Sequence, residues 1–251
     1  MAAARTLGAS TLSRGQLLHL AQRLPSASAI DIRLLLPAFA TREDVETGKA
    51  LVRALHGAPA AEALNLDEVN KALKNYAPQV RALAQPYLDR LAARQQKQAA
   101  YLSALKLDLA PLRGDPDAGL NVFFSTRVGC YGCHRIIGKG GNVGPDLSRI
   151  GRLRSQAELL ESIVFPSLTI APEYRTYQVA TRNGRVVTGL IVRETAESLT
   201  LRTAQLAETR IARKDVDELL PCNVSLMPEG LEKTMTRQEL RDLLEFLGKQ
   251  K

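Results

Sequence analysis

The sequence predicts a mainly α protein. A helical region over residues 1–110 leads into a second helical domain over 111–251 that carries a small antiparallel β insertion near 174–220. Three observations carry this expectation. Apolar residues recur at three- and four-residue spacing through the first region. A Gly/Pro/Asp-rich break, PLRGDPDAG, interrupts the pattern at residues 111–119. After residue 174 the helical period gives way to Tyr-, Thr- and Val-rich runs around the hairpin dipeptide Asn183 and Gly184.

The elements follow in order. Leu17, Leu18, Ala21 and Leu24 share one helical face; so do Ile30, Leu34, Leu35 and Ala38, then Val45, Leu51, Val52 and Leu55. Pro25, Pro37, the Gly-Ala-Pro at 57–59 and Pro78 divide these segments, and a longer helix is expected over 79–105. The spacing suits the paired helices of an α-solenoid and equally a plain bundle. His19 and His56, within this region, read as ordinary surface or core histidines. Asp115 and Pro116 form an N-cap and first-turn pair for a short helix through Phe124. The glycines of RIIGKGGNVGPDLSRIGRLR make residues 135–154 a loop. Ser155 with Glu158, and Thr236 with Glu239, are capping boxes that open two further helices. Strands are expected at 174–181, 185–192, 198–202 and 208–211.

Composition narrows the classes. With 45% hydrophobic and 24% charged residues, the 251-residue chain can bury a core without staples. A net charge of +8 and a pI of 9.6 permit nucleic acid, an acidic protein or anionic lipid as partners and select none of them. Aromatics are only 4% and are not interleaved with basic runs, which argues against a nucleic-acid surface. No apolar stretch reaches the roughly 18 residues of a membrane span. The opening residues, MAAARTLGASTLSRG, lack the apolar core of an export signal. Three cysteines, Cys130, Cys133 and Cys222, are too few and too odd in number for a disulfide framework.

The chemistry concentrates in CYGCH, residues 130–134. A structural zinc site wants four ligands, and only one Cys pair is present. A thioredoxin-type dithiol wants a βαβ setting, which the flanking pattern does not supply. The pair can also be purely structural. C-x-x-C-H is, in addition, the attachment pattern for c-type haem. Thiols at this spacing can add to the two vinyl groups on one edge of the porphyrin, which carries the adjoining histidine to the iron. Around that core, Cys130 and Cys133 are the expected attachment points and His134 an axial ligand. Pro145, in GPDL, offers a carbonyl for the other ring nitrogen of His134. Arg149, Arg152 and Arg154 are candidate partners for propionates. Of three methionines, Met227 in the loop SLMPEGL is the expected second ligand, while Met235 reads as packing and Cys222 as a small buried hydrophobe. Phe123, Phe124, Leu147, Phe165 and Phe246 are candidate walls of the site.

Taken together, GDPDAGLNVF, CYGCHRIIGKGGNVGPDLSRIG, LLESIVFPSLTIAPEY, NGRVVTGLIVRETAESLTLR and SLMPEGLEKTMTRQELRDLLEFL resemble a class I cytochrome c. Within that class they are similar to the haem-binding domain of the Planctomycetes/Verrucomicrobia type. The resemblance spans about residues 114–249. It implies a cytochrome c-like α domain with one covalently attached haem c and an electron carrier rather than an enzyme. It also implies an extracytoplasmic, periplasmic setting. In that family the domain often ends large proteins that start with a β-propeller dehydrogenase-like domain and continue through HEAT-like helices. The expected partner is therefore a redox protein or a fused dehydrogenase domain, and the chain reads as the C-terminal piece of such a protein. Two competing readings remain: a helical-repeat interaction protein with a haem-free C-terminal module, and an enzyme with an open iron site.

Overall fold

The computed structural model describes residues 2–222 and 224–251. The chain divides into two compact units. The first runs to Gln98 and takes in a few residues from Leu220; the second holds the rest.

The first unit is built from α1 (Ala2–Ala9), α2 (Arg14–Arg23), α3 (Ala29–Phe39), α4 (Val45–Gly57), α5 (Leu66–Leu73) and the start of α6 (Pro78–Leu109). Side chains close the helix starts. Ser13 and Gln16 form a capping box on α2, Ser28 accepts from the Asp31 amide, Asp44 from the Thr47 amide, and Asn65 pairs reciprocally with Glu68. The helices pack in alternation: α1 against α3, α3 against α5, and α2 against α4. Leu17, Ile32, Leu51, Leu55 and Leu73 fill the space between them. Two buried tyrosines satisfy their hydroxyls on backbone carbonyls: Tyr76 donates to Phe39 at 2.9 Å and Tyr87 to Ala61 at 2.7 Å. Pro37 lies inside α3, close to its end, so the helix runs two residues beyond the expected break.

In the second unit, α7 (Pro116–Phe124) starts at the Asp115 cap and crosses α11 (Arg237–Gly248). The crossing is close because residue 119 is glycine: a Cβ there would sit 2.1 Å from the Asp242 carbonyl oxygen. α10 (Gln156–Val164) and α11 open on the two expected capping boxes and bury Leu159, Leu160, Ile163, Leu240, Leu243 and Leu247. Burying each such side chain contributes about 1.5–3 kcal/mol, so this shared core is the main stabilisation of the unit.

The glycine-rich stretch is more ordered than a loop. It contains the short hairpin β1 (Arg135–Ile136) and β2 (Lys139–Gly140), and the single turn α9 (Ile150–Leu153). Backbone hydrogen bonding over a few residues creates these elements, and apolar period cannot reveal them. The β insertion is a five-stranded antiparallel sheet of β3 (Thr176–Thr181), β4 (Val186–Glu194), β5 (Ser198–Arg202), β6 (Glu208–Ala212) and β7 (Val216–Cys222), ordered β6-β5-β4-β3-β7. The last strand was not expected as a separate element. Val179, Val187, Leu199, Leu201 and Ile211 form the sheet's own small core. Among the described residues no helix is long and apolar enough to cross a membrane.

The β1–β2 turn stores strain. Ile137 holds φ at 47° and is 76% exposed, so a β-branched side chain sits in left-handed backbone with little burial in return. Ile137→Asn is expected to raise the unfolding free energy by about 1 kcal/mol, read as a higher urea midpoint at unchanged slope.

Candidate functional site

Gly129, left-handed at φ 71°, ends the approach from α7 and starts the single turn α8 (Cys130–Cys133). The helical turn puts Cys130 and Cys133 on neighbouring positions of one face. His134 then leaves the helix in extended conformation while its amide still donates to the Cys130 carbonyl at 2.9 Å. The glycine-rich stretch folds back over this turn. The amides of Val143 and Gly144 both donate to the Cys133 carbonyl, at 3.0 and 2.9 Å, and Gly141 donates to Tyr131 at 2.7 Å. Further along, Leu147 donates to the Arg135 carbonyl at 2.8 Å.

These contacts deliver the Pro145 carbonyl to the histidine. His134 Nδ1 lies 2.9 Å from Pro145 O. A carbonyl oxygen only accepts, so Nδ1 carries the proton in the neutral ring and Nε2 keeps its lone pair. Gly144 lies flat against the same ring. A Cβ there would fall 2.6 to 3.1 Å from three ring atoms, so only glycine leaves the imidazole room to reach Pro145. Burial holds the imidazole below its ordinary pKa, and the hydrogen bond to Pro145 opposes that shift.

The ring borders an apolar cleft. Phe123, Ile163, Leu147 and Leu243 supply its walls; Cys130, His134, Met227 and Met235 bring the sulfur and nitrogen atoms. Met227 is carried on a loop whose turn is held by its own amide donating to Ser225 Oγ at 3.1 Å. The next turn is anchored by buried Glu232, which accepts from Tyr101 Oη at 2.9 Å.

Both paired cysteines are free thiols. Burial pushes the Cys130 thiol up to about 11, opposed by a backbone hydrogen bond and reinforced by the neighbouring Cys133. Burial also raises Cys133. Both are therefore protonated at neutral pH, the reverse of the lowered thiol of a redox dithiol. Among the described residues, no group of three or more His, Cys, Asp or Glu could hold a metal ion. The zinc alternative thus lacks its ligand set.

The structure brings together Cys130, His134, Pro145 and Met227, and it adds Met235, which the sequence assigned to packing alone. Cys133 does not line the cleft. Arg149 and Arg152 are exposed and also lie outside the lining. Arg149 is near Asp146, whose carboxyl is held low chiefly by hydrogen bonds from Ser148, with Arg135 and Arg149 adding to the effect. Arg154 pairs with Glu158 at 3.4 Å. Of the other expected wall residues, Phe124 stacks on Tyr131 with centroids 5.8 Å apart, Phe246 packs on Phe123 at 5.8 Å, and Phe165 meets Tyr101 edge-on at 6.2 Å. They support the walls without lining the cleft. Gly144 was missed as a site residue. Its signal was the Gly-Pro dipeptide next to the expected carbonyl.

No family model matches the chain, and no curated protein matches it either.

Two outcomes test this geometry. Because the folded His134 imidazole titrates below its ordinary 6.5, the folded chain binds fewer protons than the unfolded one. The associated stability is whole above that value and is lost as pH falls through the folded pKa. Acid titration of unfolding free energy is expected to show this limb in the wild type, and His134→Gln is expected to remove it. Gly144→Ala is expected to cost about 1–3 kcal/mol by overpacking the ring, and to shift the His134 ring-nitrogen NMR signals away from a bonded Nδ1–H.

Proposed function

We propose that the second unit is a monohaem c-type cytochrome domain that carries one electron at a time. One observation carries the reading: the histidine of a C-x-x-C-H turn is fixed as its Nδ1–H tautomer by Pro145 and borders an apolar cleft shared with Met227. A covalently held haem would supply there an iron that alternates between two oxidation states.

The residues divide the work. Cys130 and Cys133, protonated and adjacent on one turn, suit thioether formation, in which each S–H adds across a vinyl double bond without an oxidant. His134 offers Nε2 as the permanent ligand, oriented through Pro145. Met227, on its loop, would supply the second ligand, and Met235, buried beside the cap of α11, would form part of the wall. A histidine–methionine pair would raise the potential of a bound haem, which suits electron transfer over oxygen chemistry. The apolar walls exclude water from the ring. Arg149 and Arg152, exposed beyond the cleft lining, would be the propionate partners of a bound haem.

In the same reading the chain resembles the Planctomycetes/Verrucomicrobia haem-binding domain and works outside the cytoplasm. It exchanges electrons with a redox protein or with a dehydrogenase domain of the same polypeptide. The alternating helix layers of the first unit support a HEAT-like scaffold, since stacked helix pairs place every second helix in contact.

The test is to produce the full chain with an export signal and haem-attachment machinery. A haem that stays with the chain after denaturation, and a low-spin spectrum with a methionine–iron charge-transfer band, are expected. Met227→Ala is expected to abolish that band and lower the potential by a fraction of the roughly 0.8 V that axial ligands span; Met235→Leu is expected to leave the band in place. Colourless, fully matured protein would sink the reading and favour a haem-free interaction module.

A further inference from the structure

Among the described residues, two non-glycine residues hold positive φ: Ile137 and Leu206. Leu206 lies in the turn between β5 and β6, with φ at 64°. Its amide donates to the Thr203 carbonyl at 3.0 Å, and Thr203 donates to Ala207 at 2.9 Å. Glycine or asparagine adopts such a position with least strain. Turn chemistry therefore does not explain a leucine, and at 44% exposed it gains only part of a leucine's burial.

Leu206 lies beside the CYGCH turn. Its Cδ1 lies 3.5 Å from the point where a Cβ on Gly132 would sit. A second tether joins the same hairpin to the same region: Arg202 Nη1 donates to Asn142 Oδ1 at 3.0 Å. Asn142 sits between Gly141 and Val143, whose amides hold the Tyr131 and Cys133 carbonyls. Arg202 is itself steadied by Glu208 on the adjoining strand. Residue 132 is rotated by roughly 200° from residue 130 on a helical turn. The hairpin therefore bears on the face of α8 away from Cys130, which lines the cleft.

We propose that the β5–β6 hairpin is a clamp on the back of the CYGCH turn, with Leu206 as a positioning residue that backs α8 and keeps the turn from opening, an opening that Cys133 reactivity reports. The inference rests on the cytochrome reading for its purpose: a backed turn presents both thiols and the following histidine in one geometry. It gives the β insertion a task within the site.

The test uses the full chain without haem. Iodoacetamide modification of Cys133 is followed by mass spectrometry, with Cys222 as internal reference. Leu206→Asn suits the left-handed backbone and removes the apolar contact, so it is expected to speed Cys133 modification several-fold while the Cys222 rate and the unfolding midpoint hold. Leu206→Met is expected to restore the wild-type rate, and Asn142→Ala to raise it through loss of the other tether. A Cys133 rate unchanged in both Leu206→Asn and Asn142→Ala overturns the proposal. So does a parallel rise at Cys222, which would mean general loosening. These rates need no haem: a chain that never takes one up sinks the cytochrome reading and leaves the clamp to be judged on modification alone.

Discussion

The hydrogen bond from His134 to the Pro145 carbonyl organises the second unit's chemistry. It decides which ring nitrogen carries a proton, and so which one remains basic. It also depends on much of its neighbourhood. Pro145 is in place because Val143 and Gly144 are pinned to the Cys133 carbonyl, so the turn bearing the cysteines positions the group that orients the histidine. Gly144 makes the approach possible by having no side chain between the backbone and the ring. A loop that reads as slack from its glycine content is therefore tightly specified.

The environment around that bond is set by burial. Burial raises the two thiols and lowers the imidazole, so each favours its neutral form. The methionine-bearing segment is braced from the end of α6. Tyr101 bonds Glu232, and Asp108 pairs with Arg237 at 3.0 Å, so the sequence between Met227 and α11 is anchored on both sides of Met235. Glu232 contributes one oxygen to Tyr101 and leaves the other without a hydrogen bond. That incomplete satisfaction makes this turn one of the more costly parts of the unit to bury.

The β insertion bears on the site through its β5–β6 turn. Its small core, Val179, Val187, Leu199, Leu201 and Ile211, stabilises the sheet locally, and the hairpin extends from it to Gly132 and Asn142. A sheet with its own core is a firm base from which to hold another segment, because the strain at Leu206 is resisted by the ladder on either side of the turn.

Much of this protein was legible in the order of its residues. The capping boxes at Ser155 and Thr236, the Asp115 cap, the strands near Asn183 and Gly184, and the C-x-x-C-H spacing are all patterns closed within a few positions, where backbone geometry is dictated by immediate neighbours. The Pro145 acceptor was legible for the same reason, being carried on a rigid turn shortly after the histidine. Packing between distant segments was not. The burial of Met235 in the cleft, the exposure of Arg149 and Arg152, the Tyr101–Glu232 bond across 131 residues of separation, and the placement of Leu206 beside Gly132 arise only once helices and sheet have assembled. Local hydrogen bonds and side-chain period act over a turn or two of chain, whereas which surfaces meet depends on the summed burial of many residues at once, and that sum has no signature at any single position.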